Sequence, residues 1–323
     1  MNTPADILPG ASAYLMTMIS GTLIVMGYNL SAAILRGLGD GKAPLVAMII
    51  AALLNIGLDC LFVLVFHWGI IGAAMASLLA QLVSLLYCLF AIARIEYVSL
   101  KQDWHFDFCK IKSMLLFGIP ISFQYVVITM GGMILQSSIN LQGSVFIAGY
   151  TATNKLYGFL QCFAMSVGQA SCTFVSQNYG AGLSQRVRQG VADSVKIVMA
   201  MAILIMAVTL MTRSHLLRVF LDVSNPDGIQ ALDVSVRYLT IMVLSFPILH
   251  ILHVFRNVLQ ALGIAIWSLM SGFAELAARI LMSKFLIGYI GADALFLSEP
   301  ASWLGAMLCV FLPYFYYRKK LLR

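Results

Sequence analysis

The chain has 323 residues, of which 61% are hydrophobic and 10% charged, a balance far more apolar than that of a soluble globular protein. It reads as an all-α integral membrane protein, because apolar stretches of about 20 residues cross a hydrocarbon core of about 30 Å as helices, and the short alternating segments of a β-barrel do not appear. The formal charge of +7 does not indicate a nucleic-acid surface, since Lys and Arg lie in short clusters between apolar runs, and six scattered cysteines without CxxC spacing suggest neither a disulfide framework nor a zinc site.

Taken in chain order, hydropathy and helix breakers predict nine spans: 12–35, 44–66, 69–93, 114–138, 144–170, 190–211, 237–260, 264–287 and 301–317. Positive charge collects at Arg36 and Lys42, at Arg94, Lys101, Lys110 and Lys112, at Arg186, Arg188 and Lys196, and at Arg318, Lys319, Lys320 and Arg323. If every span crosses, these clusters share one side, which the positive-inside rule makes cytoplasmic. The loops on the other side are poorer in Lys and Arg: His67-Trp68 carries neither, and Asp293 to Trp303 carries only acids. The loop between Arg213 and Arg237 is the exception, its arginines set against Asp222, Asp227 and Asp233. A multi-pass protein of the plasma (inner) membrane is expected, with its C-terminus inside and Met1 outside. No Lys or Arg precedes Arg36, so the basic start of a signal peptide is missing.

An internal repeat bears on that topology. Tyr14-Leu15, Leu35 and Leu38-Gly39 are echoed by Tyr238-Leu239, Leu259 and Leu262-Gly263, all at one offset of 224 residues (238 − 14). Gly72-Ala73-Ala74-Met75 has a looser echo in Leu304-Gly305-Ala306-Met307. Duplicated halves are common in secondary transporters, whose sites lie between the repeats. Counterparts for the first three spans of the second half would fall upstream of Met1, so the chain is expected to lack about three N-terminal spans. The expected organisation is a partial lobe of three spans at 1–100, a cytoplasmic linker at 101–112 and a complete six-span lobe at 113–323.

Asp59 is the residue that most needs a reason, because a carboxylate within a span costs at least about 2.5–3.5 kcal/mol. Asn55 precedes it by one helical turn, so the two share a face where carbonyl and carboxylate oxygens converge as a hard cation requires. A buried carboxylate is equally able to carry a proton, and an interhelical hydrogen bond that only packs the bundle would account for the same pair. Glu275 and Arg279 repeat the i, i+4 spacing as an ion pair, with a proton- or substrate-binding role for Glu275 as the other reading. Lys155 has no local partner and either snorkels or faces a cavity. Gln124, Gln136 and Asn140 place amides on the fourth span, suited to interhelical hydrogen bonds or to lining a cavity. His250 and His253 have a spacing that can hold a metal, but no acid lies nearby, so no metal is expected. Pro120 and Pro247 should kink their spans.

Several motifs now stand in one order. The run Leu35-Arg36-Gly37-Leu38-Gly39-Asp40-Gly41-Lys42-Ala43-Pro44, then Leu54-Asn55-Ile56-Gly57-Leu58-Asp59, then Gly69-Ile70-Ile71-Gly72-Ala73-Ala74-Met75-Ala76-Ser77 with Gln81, resembles helices four to six of the multidrug and toxic compound extrusion (MATE) family. Phe117-Gly118-Ile119-Pro120, Ala170, Gln177-Asn178-Tyr179-Gly180-Ala181-Gly182 and Arg186 resemble its helices seven and eight. The departure is that the family has twelve spans and this chain supplies nine. The resemblance implies an antiporter of two six-helix lobes that exports organic, cationic small molecules against Na⁺ or H⁺, needs no cofactor, lies in lipid and acts as a monomer. In one branch of the family a cation site combines a helix-one carboxylate, Asn and Asp on helix five and a hydroxyl on helix six. Asn55, Asp59 and Ser77 match the last three and Asn29 on helix four is a weaker match, whereas the helix-one carboxylate has no counterpart. The alternatives are a flippase for a lipid-linked precursor, disfavoured by the scarcity of basic residues within spans, and a non-transporting gene fragment. An intramembrane enzyme finds no DxxxD pair, no HExxH and no nucleophile elbow.

Overall fold

The computed structural model describes residues 8–95 and 107–321, so Lys101, Arg323 and positions 101–106 of the expected linker lie outside the described residues. Contacts divide the chain into two compact units, Met1–Phe106 and Asp107–Arg323. No strand occurs among the described residues.

Unit 1 holds α1 (Leu8–Ser20), α2 (Thr22–Gly37), α3 (Lys42–Asp59) and α4 (Gly69–Ala93), with α3 running on into a π-helical stretch, Cys60–Val65. The axes of α1 and α2 bend by 48° at Gly21, where a Cβ would run into Leu78. Every fourth residue of α4 from Gly72 is buried, namely Gly72, Ala76, Ala80, Ser84, Cys88 and Ile92, with Ala74 and Leu78 buried beside them. In that every-fourth set all but Ile92 are small, and lipid offers helices no hydrophobic drive to associate, so close backbone approach along such a stripe is what packs α2 and α3 onto α4. Ser84 Oγ adds a bond to the carbonyl of Ala47 on α3 at 3.0 Å.

Unit 2 holds α5 (Phe108–Ile139), α6 (Ser144–Leu160), α7 (Cys162–Gly180), α8 (Ser184–Arg218), α9 (Pro226–Leu244), α10 (Phe246–Ala261), α11 (Ile266–Ile280), a second π-helical stretch (Leu281–Leu286), the short α12 (Ile287–Ile290) and α13 (Asp293–Leu321). Asp107 caps α5 by accepting from the N–H groups of Cys109 and Lys110. The bond from Lys110, seconded by that from Cys109, holds the Asp107 carboxyl below the usual carboxylate range. Asn225 caps α9 in the same way, with Pro226 in the first turn, where no N–H is needed. A layer of stacked rings joins α6, α9 and α13: Tyr150 on Tyr238 at 4.9 Å, Tyr238 on Phe296 at 5.3 Å and Phe146 on Phe296 at 5.2 Å.

Five helical segments are long and apolar enough to cross a membrane, Lys42–Val65, Gly69–Ala93, Phe108–Gln142, Ser184–Arg218 and Asp293–Lys320, or seven if each of two bent pairs counts as one span. The remaining two of the nine expected segments correspond to α6 with α7 and to α11 with its π-helical continuation, which are shorter or more polar. Two local expectations change. The acidic segment Asp293 to Trp303, read as a loop, is the start of α13: Asp293 pairs with Arg237 at 2.7 Å and Glu299 with Arg279 at 3.0 Å, so its acids are paired. Pro120 leaves α5 continuous, whereas Pro247 stands at the break where α9 and α10 bend by 49°.

The repeat is visible in the backbone. The two bends, at Gly21 and Ser245, are themselves 224 residues apart and differ by one degree. After α2 the N–H groups of Leu38, Gly39 and Asp40 reach the carbonyls of Ile34, Arg36 and Leu35; after α10 those of Leu262, Gly263 and Ile264 reach Val258, Gln260 and Leu259, atom for atom in the same register. Gly39 and Gly263 supply the positive φ, 93° and 79°, that this helix-ending turn demands. The next two helices of each unit also start in register, α3 with α11 and α4 with α13.

Candidate functional site

In unit 1 the polar side chains gather between α3 and α4. Asn55 Nδ2 donates to Ser77 Oγ at 3.4 Å, and both line a cavity of about 370 Å³ with Met18, Val25, Met48 and Gln81. Asp59 follows Asn55 by one turn and ends α3 immediately before the π-helical stretch. Its Oδ1 is buried and accepts no hydrogen bond among the described residues, and the same holds for Oε1 of Gln81. An unsatisfied buried acceptor costs about 1–3 kcal/mol, and more when charged, so each of these atoms favours the uptake of a proton, a cation or a donor. Asn29 does not join this group: it is exposed on α2, and its amide donates to the carbonyl of Val25 at 2.9 Å on its own helix.

Among the described residues of unit 2, four charged side chains are held together away from water: Arg256, Glu275, Arg279 and Glu299. Glu275 and Arg279, paired from their spacing, approach to 3.4 Å, and each has a further partner that spacing does not reveal. Arg256 on α10 binds Glu275 at 2.5 Å and Ser271 Oγ at 3.1 Å. Arg279 reaches Glu299 on α13 at 3.0 Å and the carbonyl of Ile128 on α5 at 3.0 Å. The four side chains are between 5% and 13% exposed, two cations against two anions, which is how charge is tolerated away from water. Sequence reading missed Glu299 because it sits among Ser298, Pro300 and Ala301, a low-hydropathy stretch that resembles a loop.

The other amides take separate places. Gln124 is buried and accepts from Gln260 Nε2 at 3.5 Å. Gln136 donates to Asn140 at 2.8 Å on the exposed face of α5, and Lys155 is exposed on α6. His250 Nδ1 lies 2.9 Å from the carbonyl of Phe246. Among the described residues no group of three His, Cys, Asp or Glu is placed to hold a metal ion.

The family model described as MatE matches residues 1–61 and 120–285, two stretches whose ends, 61 and 285, are again 224 apart. "Probable multidrug resistance protein YpnP" of Bacillus subtilis (strain 168) is 29% identical over 324 residues, covering all of this chain and 72% of that protein. "FAD transporter" of Shewanella oneidensis is 24% identical over 317 residues, covering 94% of this chain and 68% of that protein. A solved structure described as "Crystal structure of MATE in complex with MaL6" superposes with a TM-score of 0.89 at 20% identity, covering 99% of this chain and 72% of its own, which establishes a shared fold.

Proposed function

The chain belongs to the MatE family of membrane efflux transporters, and on that premise we propose that it exports organic, cationic small molecules across the plasma membrane by antiport against Na⁺ or H⁺. It is a multi-pass helical membrane protein. The observation that carries the coupling is Asp59: a carboxylate on a membrane helix with one buried oxygen left without a hydrogen bond, one turn from the Asn55–Ser77 pair and its cavity. A residue kept only to pack α3 against α4 would have both oxygens satisfied, since every unmet acceptor in hydrocarbon weighs against the fold.

In this reading Asp59 takes up the coupling ion, Asn55 and Ser77 contribute neutral oxygens, and the apolar wall of Met18, Val25 and Met48 accepts varied substrates, as flexible methionines suit. Asn29 would join only after a change of rotamer. The C-terminal arginine and lysines lie on the cytoplasmic side, and the chain acts as a monomer whose two lobes alternate in access. A lipid-pyrophosphate flippase is less well supported, because the two deep arginines, Arg256 and Arg279, are already neutralised by Glu275 and Glu299.

The test is Asp59→Asn in proteoliposomes under an imposed Na⁺ or pH gradient. Gradient-driven efflux of an organic cation is expected to vanish while the protein stays monodisperse. Efflux at the wild-type rate would return Asp59 to a packing role, and the gradient that drives the unmutated chain identifies the ion.

A further inference from the structure

The shared register allows the two units to be compared residue by residue. Since α3 and α11 start 224 residues apart and are regular up to this point, Ala51 and Asn55 of unit 1 correspond to Glu275 and Arg279 of unit 2. In unit 1 those two positions line an open cavity of about 370 Å³. In unit 2 they carry a carboxylate and a guanidinium, and the guanidinium is ringed by oxygens: Glu275 at 3.4 Å, Glu299 at 3.0 Å and the Ile128 carbonyl at 3.0 Å. Gly131 makes room for it, since a Cβ there would stand 3.2 Å from Nη1 of Arg279.

We propose that Arg279 is a tethered cation seated in a latent monovalent-cation site of unit 2, formed by Glu275, Glu299 and the Ile128 carbonyl, and that its presence keeps a free cation out of this unit. Charge counting supports the assignment. Arg256 balances one of the two carboxylates from the other side, so removal of Arg279 leaves a buried cluster of net charge −1, which is compensated by a cation of matching size or by a proton on one carboxylate; the proposal is that the cation is taken up. Three oxygens around a planar fork suit guanidinium best, with Na⁺ as a smaller occupant. The inference concerns unit 2 and does not depend on Asp59: an Asp59→Asn chain should respond in the same way, so either reading can fail alone.

The experiment uses the purified full chain with Arg279→Ala, guanidinium chloride at low millimolar concentration as the probe and choline chloride as the control. Guanidinium is expected to raise the unfolding temperature of Arg279→Ala and to leave that of the wild type unchanged, and titration calorimetry should give one additional guanidinium per chain. Arg279→Gln, which carries the amide that unit 1 has at Asn55, provides a second background with the same expectation. Adding Glu299→Gln to Arg279→Ala removes the surplus anion and should weaken the gained binding by about tenfold or more, the factor that corresponds to 1.4 kcal/mol. The proposal is overturned if neither single variant binds more guanidinium than the wild type. It also falls if Glu299→Gln leaves the gained affinity intact, or if neither variant folds with guanidinium present.

Discussion

Removing one member of the buried quartet should cost far more than removing a matched pair. In Glu275→Gln, Arg256 loses the carboxylate it binds at 2.5 Å, and Arg279 keeps Glu299 as its carboxylate partner among the described residues. The cluster then carries a net +1 with side chains no more than 13% exposed, and breaking a buried pair in this way costs about 3–5 kcal/mol. Arg256→Gln should cost a similar amount, with the opposite surplus charge. The double variant leaves Arg279 and Glu299 as a balanced pair and two amides with Ser271 between them. It should recover most of the loss, with a coupling of about 2–3 kcal/mol in a double-mutant cycle. The assay is reversible unfolding in mixed micelles of dodecyl maltoside and SDS, followed by the fluorescence of Trp303, which lies in the core of unit 2. If the two losses simply add, the four charges do not act as one electrostatic unit, and both the quartet and the latent site built on it lose their basis.

Other consequences can be read from single contacts. Gly149→Ala on α6 would place a Cβ 2.5 Å from the carbonyl oxygen of Ala231 on α9, so the α6–α9 crossing should open at a cost of about 1–3 kcal/mol, seen as a lower unfolding midpoint. Gly263→Ala meets no neighbour but must hold φ near 79°; a loss of about 1 kcal/mol is expected, with the equivalent Gly39→Ala losing a comparable amount. The Asp107 carboxyl, held low by the N–H groups of Lys110 and Cys109, contributes capping above its unfolded pKa, and that contribution is lost as pH falls through the lower folded value. Amide exchange at Cys109 and Lys110 should therefore quicken below about pH 4 relative to the α5 interior, and Asp107→Asn should abolish the pH dependence.

Features that depend on order along one helix were legible in the sequence. The i, i+4 spacing put Asn55 beside Asp59 and Glu275 beside Arg279, and the 224-residue echo marked the duplication that the backbone repeats. Features set by neighbouring helices were not. Glu299 is 20 residues from Arg279 and Arg256 is 19 from Glu275, pairings that only the packing of α10, α11 and α13 creates. Hydropathy then mistook the start of α13 for a loop, because it counts an acid as exposed whether or not an arginine waits for it. Asn29 failed to join its expected partners because an exposed amide has its own helix carbonyl within reach. The bend at Gly21 lacks the proline that marks its twin at Ser245, so composition alone signalled one of the two.

The π-helical stretch that begins at Cys60, directly after Asp59, has a mechanical consequence. A π turn stores one more residue than an α turn, so interconversion of the two swings everything beyond it by about 100° without unfolding a hydrogen-bonded rod. Phe62 lies within that stretch and its stacking partner Trp68 three residues beyond its end. On the proposed reading of Asp59, such a change of turn at the end of α3 would couple ion occupancy to the orientation of the aromatic tip.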